Sequence, residues 1–368
     1  MARSIAEIEH STVRKVSKRL IPFLFLCFAI SILDRLNISF AALQMNETLN
    51  FSNEVYGLGA GIFFIGYFLL EVPGGALMTK FGARKWISRI MISWGIISGL
   101  TAFVTTPAQF YAVRFALGVA EASFFPCMAW YLSQWYQTKH HARALAGFMA
   151  AIPAASALGS PISGYLLTLD LWGFHGWQNL FILEAIPSVI LGVITYFYLT
   201  DKIDDAKWLE ADEKDWLKKV LAREEAIKRK KKSITFMQAL KERDVLILAC
   251  AYFCWMAGYY GVIMFLPTLI HSLSSSMGTS SAGLSVSCIY WRLSLWFLSA
   301  EVRIKDRNAA STWQLLSLFR LSVSLFPYTW RKLIRYLLSL FTLSACAVHT
   351  AHTLRSGQFL HPIYRAAL

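Results

Sequence analysis

Several ionisable residues fall within stretches that are otherwise apolar. Asp34 stands beside Arg35, with Asn37 two residues on, and Arg114 precedes Glu121 by seven residues. A charge in such surroundings costs about 2.5–3.5 kcal/mol on insertion scales, so it marks a functional hypothesis. A guanidinium is a planar fork that grips a carboxylate through two parallel hydrogen bonds. Arg35 and Arg114 facing one cavity, with Asn37 beside them, form a candidate binding set for a small organic anion. Asp34 and Glu121 are candidate proton carriers. Burial discourages a carboxylate from ionising and a nearby guanidinium encourages it. An anion that occupies the guanidinium removes that encouragement, so anion and proton would favour each other. The plainer alternative is that Asp34–Arg35 and Arg114–Glu121 neutralise one another and hold helices together. Glu71 and Glu184 are further candidates, for which packing or helix-end roles account equally well.

These residues need elements that carry them through an apolar phase. The chain of 368 residues is 56% hydrophobic and only 16% charged, against about 25% charged in a soluble domain. Its apolar residues come in blocks. A bilayer core is roughly 30 Å thick, so a spanning helix needs about 20 apolar residues. Seven blocks fit: Leu20–Phe40, Tyr56–Met78, Trp86–Val104, Phe110–Leu132, Leu145–Leu169, Trp177–Leu199 and Val245–Ile270. Lipid offers no partner for a free N–H or C=O, so the spans are helical. At about 1.5 Å of rise per residue, Asp34, Arg35 and Arg114 reach similar depth, somewhat outside the midplane, and Glu121 lies near it. Arg114 and Glu121, two turns apart, share a helix face.

Loop charge sets the topology. Arg14, Lys15, Lys18 and Arg19 precede the first span; Lys80, Arg84, Lys85 and Arg89 surround the second-to-third loop; Lys139 and Arg143 lie in the fourth-to-fifth. The loops between them contain no Lys or Arg. The positive-inside rule puts the N terminus in the cytoplasm. The expected organisation is a cytoplasmic segment (1–19), a six-helix bundle (20–199), a cytoplasmic helical connector (200–244), a seventh transmembrane helix (245–271) and an anomalous tail (272–368). The connector ends in the basic run Lys228–Lys232, read as solvated and orientation-setting, with anionic lipid headgroups as the alternative partner.

The tail differs in texture. It is rich in Ser, Leu and Arg, the amino acids with six codons each, and has ten Lys or Arg against two acids, Glu301 and Asp306. No clean span of about 20 residues appears in it. A shifted reading frame near Ser272–Ser287 is the expectation. Other function classes fall away. The net charge of +14 sits largely in loops and tail, so nucleic acid is not implied. Cys250 and Cys254 lack a second pair, so no metal site is expected. No nucleotide-binding loop is present. The soluble loop holds no paired catalytic constellation, so an enzyme is not expected.

The sequence Asp34-Arg35-Leu36-Asn37-Ile38-Ser39-Phe40-Ala41 resembles the first-helix signature of the anion:cation symporter family, a branch of the major facilitator superfamily. Glu71-Val72-Pro73 followed by Gly82-Ala83-Arg84-Lys85-Trp86-Ile87 is similar to its second-to-third-helix segment. Thr79 stands where the wider superfamily carries Asp, as is common in that branch. Arg114, Glu121 and Pro126, then Gly159-Ser160-Pro161, Leu183-Glu184-Ala185-Ile186-Pro187, Ala206-Lys207-Trp208-Leu209 and Phe265-Leu266-Pro267 extend the resemblance over about Leu20–Ile270. Ile203 stands where Pro is usual.

The resemblance implies an all-α integral membrane protein of the major facilitator fold, with an N-terminal six-helix bundle, a seventh helix and an incomplete second bundle. It implies proton-coupled symport of an organic acid such as tartrate, a sugar acid or an aromatic acid. Arg35 and Arg114 would bind the carboxylate, Asp34 and Glu121 would be proton-linked, and Gly82, Arg84 and Lys85 would form a conformational loop motif. The expected driving force is a proton gradient with no cofactor. The expected setting is a monomer in the inner membrane, whose partners are lipid, protons and the anion. The alternatives are a non-transporting remnant, or a drug-efflux or anion-exchange member of the superfamily.

Overall fold

The structure, a computed structural model, describes residues 3–230 and 242–274. Every regular element among them is helical. Among the described residues, six helical stretches are long and apolar enough to cross a membrane. The first is α1 (Ile5–Leu49), followed by α2 (Asn53–Phe81) and α3 (Ala83–Leu100). The fourth is split into α4 (Pro107–Glu121) and α5 (Phe124–Ser133). The fifth joins α6 (Thr138–Met149) to α7 (Ala151–Leu166), and the sixth is α8 (Gly176–Tyr198). Helix α9 (Ala211–Lys230) follows, then α10 (Arg243–Ser274). Of the described residues, 3–230 and 264–274 belong to one compact unit and 242–263 to a second. The anomalous tail from residue 275 lies outside the described residues, as does much of the basic run.

Local chemistry fixes where helices start. Ser4 accepts from the Glu7 amide while the Glu7 carboxylate takes the Ser4 amide, a reciprocal cap that satisfies two orphan donors. Ser52 and Thr106 accept in the same way at the starts of α2 and α4, where Pro107 fills a position that needs no N–H. Between α2 and α3, Gly82 takes φ +87°, a conformation that favours glycine.

The helices pack pairwise through small residues. A Cβ added to Gly118 of α4 would collide with the Phe63 carbonyl oxygen of α2, and one on Gly66 would strike the Phe115 carbonyl. The two backbones therefore touch, as small residues allow in membrane bundles. Helix α3 meets α8 in the same way through Gly95 and Gly192. Phe28, Trp94, Phe124, Met128 and Phe148 fill the bundle interior. Outward, Phe68, Val72, Leu158, Tyr165 and Phe197 are each 60% exposed or more. An apolar belt of that extent is a lipid-facing surface, not one for water.

Helix α1 runs well past the apolar block read from the sequence, because its polar first turns have a partner of their own. Ser11 and Lys15 bind Glu213 of the connector at 2.6 and 2.9 Å, and Lys15 also reaches Glu210 at 2.7 Å. Leu217 and Ala206 are buried, and Trp208 stacks on Trp135 with centroids 5.4 Å apart. This part of the connector is a packed structural element of the bundle.

Candidate functional site

Midway along α1, consecutive residues leave the helix about 100° apart, and the site is built from that divergence. Asp34 turns toward α3, where its Oδ1 accepts from Ser98 Oγ at 2.5 Å and from Asn37 Nδ2 at 3.3 Å. Arg35 turns toward α4 and pairs with Glu121. Glu121 Oε1 also accepts from Ser31 Oγ at 3.1 Å. The guanidinium of Arg35 lies over the rings of Tyr67 (5.3 Å) and Phe63 (5.7 Å) of α2. The pairing is therefore crossed between helices: Arg35 of α1 neutralises Glu121 of α4, as the plainer alternative needs if the charges are to hold helices together, while Asp34 and Arg114 make no ion pair among the described residues.

Arg114 occupies a different environment. It is only 1% exposed. Its Nε donates to the Gly59 carbonyl at 3.4 Å, and its guanidinium lies 4.9 Å from the Phe63 ring centroid. Among the described residues no carboxylate comes within salt-bridge distance of it, although Asp34 and Glu121 are near enough to act on it through space. An Arg buried without a contact anion is unusual, because isolated buried charge is expensive. Phe63 lies under both guanidiniums, so one aromatic face lines the space between them. Above Arg114, Tyr56 Oη donates to the Met264 carbonyl at 2.8 Å, and its ring meets Phe265 edge-on at 5.3 Å.

The two further carboxylates separate. Glu184 of α8 is buried and accepts from Ser163 Oγ of α7 at 2.7 Å. It stands near Asn37 and Asp34 of α1. Glu71, inside α2, takes the Ser123 amide at 3.0 Å where the fourth span breaks, and so serves the start of α5. Asp34, Arg35, Asn37, Arg114 and Glu121 are thus brought into one buried cluster, Glu184 adjoins it, and Glu71 flanks it.

The Gly82–Arg84–Lys85 loop lies away from this cluster. Asp201, just after α8, accepts from the Arg84 amide at 2.8 Å, and the Arg84 side chain lies over Tyr196 at 5.1 Å. Lys85 is exposed. Asp201 was not singled out from the sequence, and neither were Ser31, Ser98, Tyr67 and Ser123. A serine in an apolar block carries little signal by itself. For Ser123 there was one: Pro126, three residues on, has no N–H to give, as befits the first turn of a new helix.

Comparisons with known proteins agree with this architecture. A profile described as Major Facilitator Superfamily matches residues 24–354, beyond Ile270, where the motif-by-motif resemblance ends. A protein of Agrobacterium vitis named "Putative tartrate transporter" is 45% identical over 84% of this chain and 71% of its own length. A "Quinolone resistance transporter" of Acinetobacter baumannii is 40% identical over 72% of this chain and 61% of its own. Among solved structures, the xylose transporter XylE from E. coli in a partially occluded inward-open conformation aligns with TM-score 0.61, covering 91% of this chain and 85% of that one at 14% identity. That likeness concerns the fold.

Proposed function

Given that this chain belongs to the major facilitator superfamily, a family of multi-pass membrane transporters and not of enzymes, we propose that it takes up a small organic carboxylate together with protons. Tartrate, sugar acids and aromatic acids are the substrate class. The observation that carries the reading is the contrast between the two arginines. Arg114 is buried with no contact carboxylate among the described residues, and Arg35 is held by Glu121. An incoming carboxylate satisfies Arg114 and competes with Glu121 for Arg35. Once displaced, Glu121 is a buried carboxylate that has lost its cation, and it takes a proton. Substrate and proton then bind together and leave together, which is symport. Asn37 orients the substrate's polar groups, and Asp34, shielded by Ser98, is the second proton-linked site.

The tartrate name of the Agrobacterium relative supports the substrate class. The protein works in the inner membrane with its N terminus in the cytoplasm, a reading that the loop charges support. The proton gradient drives it without a cofactor, in a lipid-embedded monomer. Gly82, Arg84 and Lys85 belong to the moving inner end, with Asp201 fixing the loop in the present state. Bundles rocking around a fixed site give alternating access.

The test is uptake of radiolabelled tartrate by cells expressing the full chain, with and without a protonophore. Accumulation that collapses with the gradient is expected. No accumulation despite surface expression would leave a non-transporting product. The quinolone relative favours a second reading, export of an aromatic acid drug; reduced retention of a fluorescent quinolone by expressing cells would establish it.

A further inference from the structure

The fourth span does not run through. Helix α4 ends at Glu121, Ala122 is extended, and Ser123 takes φ +70° before α5 begins at Phe124. A left-handed conformation is uncommon for a residue with a side chain and persists when surroundings over-determine it. Here the surroundings come from α2. Glu71 Oε2 accepts the Ser123 amide at 3.0 Å. Ser123 Oγ donates to the Leu70 carbonyl at 2.8 Å and lies 3.2 Å from that of Glu71. Gly74, one turn on, leaves room for that hydroxyl, since any Cβ there would overlap Ser123 Oγ. The break falls two residues after Glu121.

Glu71 also connects to the site sideways. Tyr67, one turn earlier on α2, hydrogen-bonds Glu71 and lies under the Arg35 guanidinium. Glu121 itself is faced by Arg35 and Asp34 of α1, Arg114 of its own helix and Glu71 of α2.

We propose that Glu71 is a positioning residue: its carboxylate caps the broken start of α5 and so fixes where Glu121 meets Arg35. This rests on the proton-and-carboxylate reading of the cluster. The cap needs an acceptor and no charge, which separates it from a proton-carrying role. Glu71→Gln keeps an acceptor oxygen for the Ser123 amide; Glu71→Leu keeps the bulk and loses it. Ser123→Gly keeps the left-handed turn.

Two measurements on the full chain decide it. The first is amide hydrogen exchange over residues 119–127, which needs no transport. Exchange at least about tenfold faster in Glu71→Leu, with Glu71→Gln and Ser123→Gly close to the parent, is expected, because protection reports local opening. Equal protection in Glu71→Leu and the parent overturns the cap. The second is the pH profile of tartrate binding. Glu71→Gln and Glu71→Leu both remove the charge that faces Glu121 and so share any shift of midpoint; beyond that, Glu71→Gln should bind as the parent does and Glu71→Leu should weaken binding about tenfold. A Gln variant that keeps its amide protection but loses the pH dependence overturns the proposal, since the proton on Glu71 would then be what matters. If the parent binds no tartrate at any pH, the carboxylate reading falls, and the exchange result alone decides whether Glu71 caps α5.

Discussion

Replacing Glu121 by Gln separates the proton from the substrate. The variant presents Arg35 with a neutral partner, the condition that protonation creates in the parent. A unit ion pair at about 4 Å in an effective dielectric near 20 is worth ~4 kcal/mol. Part of that is held back, because Ser31 keeps its hydrogen bond to position 121 and the Tyr67 and Phe63 rings retain the guanidinium. About half, ~2 kcal/mol, remains to couple the two ligands, within the 1–3 kcal/mol usual for linked sites, and it corresponds to roughly 30-fold in affinity. The assay is calorimetric tartrate binding by the full chain. Glu121→Gln should bind tartrate tighter than the parent by about that factor, since a neutral partner at position 121 frees Arg35, and it should not accumulate tartrate against a gradient. If the variant binds no tighter than the parent, the Arg35–Glu121 exchange is not the coupling step.

Arg114→Lys should weaken tartrate binding by roughly 30-fold, because a point ammonium cannot reproduce a two-pronged contact worth ~2 kcal/mol; a change under threefold would remove Arg114 from the binding site. Gly118→Ala drives a Cβ onto the Phe63 carbonyl and to within 2.9 Å of the Tyr67 nitrogen, and overpacking of this kind costs about 1–3 kcal/mol, so the melting temperature in detergent should drop. At Glu213, burial pushes the carboxyl pKa up, but the hydrogen bonds from Ser11 and Lys15 outweigh it and hold it below the usual value. The connector's docking should therefore be fully present above about pH 4.3 and be lost as pH falls through the depressed value; proteolysis of the connector across that range follows it, and Glu213→Ala should be cut readily even at neutral pH. Sequencing codons 265–295 in all three frames should restore Gly-containing apolar helices in another frame; if none continues the pattern, the tail belongs to the protein as written.

The spans were legible because burial in lipid demands uninterrupted apolar length, and Tyr56–Met78 or Trp177–Leu199 satisfy that demand without help from other parts of the chain. Their ends were not, since polar helix needs a partner to persist and the partner of α1 lies some two hundred residues away in sequence, at Glu210 and Glu213. The cluster's membership was legible from the price of charge in apolar surroundings, whereas its pairing was not. Adjacent residues on a helix point to different neighbours, so Asp34 and Arg35 part company, one to Ser98 and one to Glu121. Arg114 and Glu121, seven apart, do share a face, but Arg114 meets the Gly59 carbonyl and an aromatic ring instead of a carboxylate. The break at Ser123 had only Pro126 to mark it, since neither Gly nor Pro occupies the position itself; its cause, Glu71 with Gly74, lies on another helix.

Helix α1 is continuous over 45 residues with Pro22 inside it, a contour of about 67 Å at 1.5 Å per residue. Lys15, which grips the connector, and Arg35, which grips Glu121, are separated along it by 20 residues, or ~30 Å. A tilt of about 5° pivoting at Arg35 would displace the Lys15 level by ~2.6 Å, as much as a hydrogen bond is long. Moving as one piece, the same helix would act as a lever, with Arg35 at its fulcrum and the docked connector at the end of its arm. A spin label near residue 11 and another on α9 would read occupancy of the buried cluster from the far end, in a place where neither label touches the substrate.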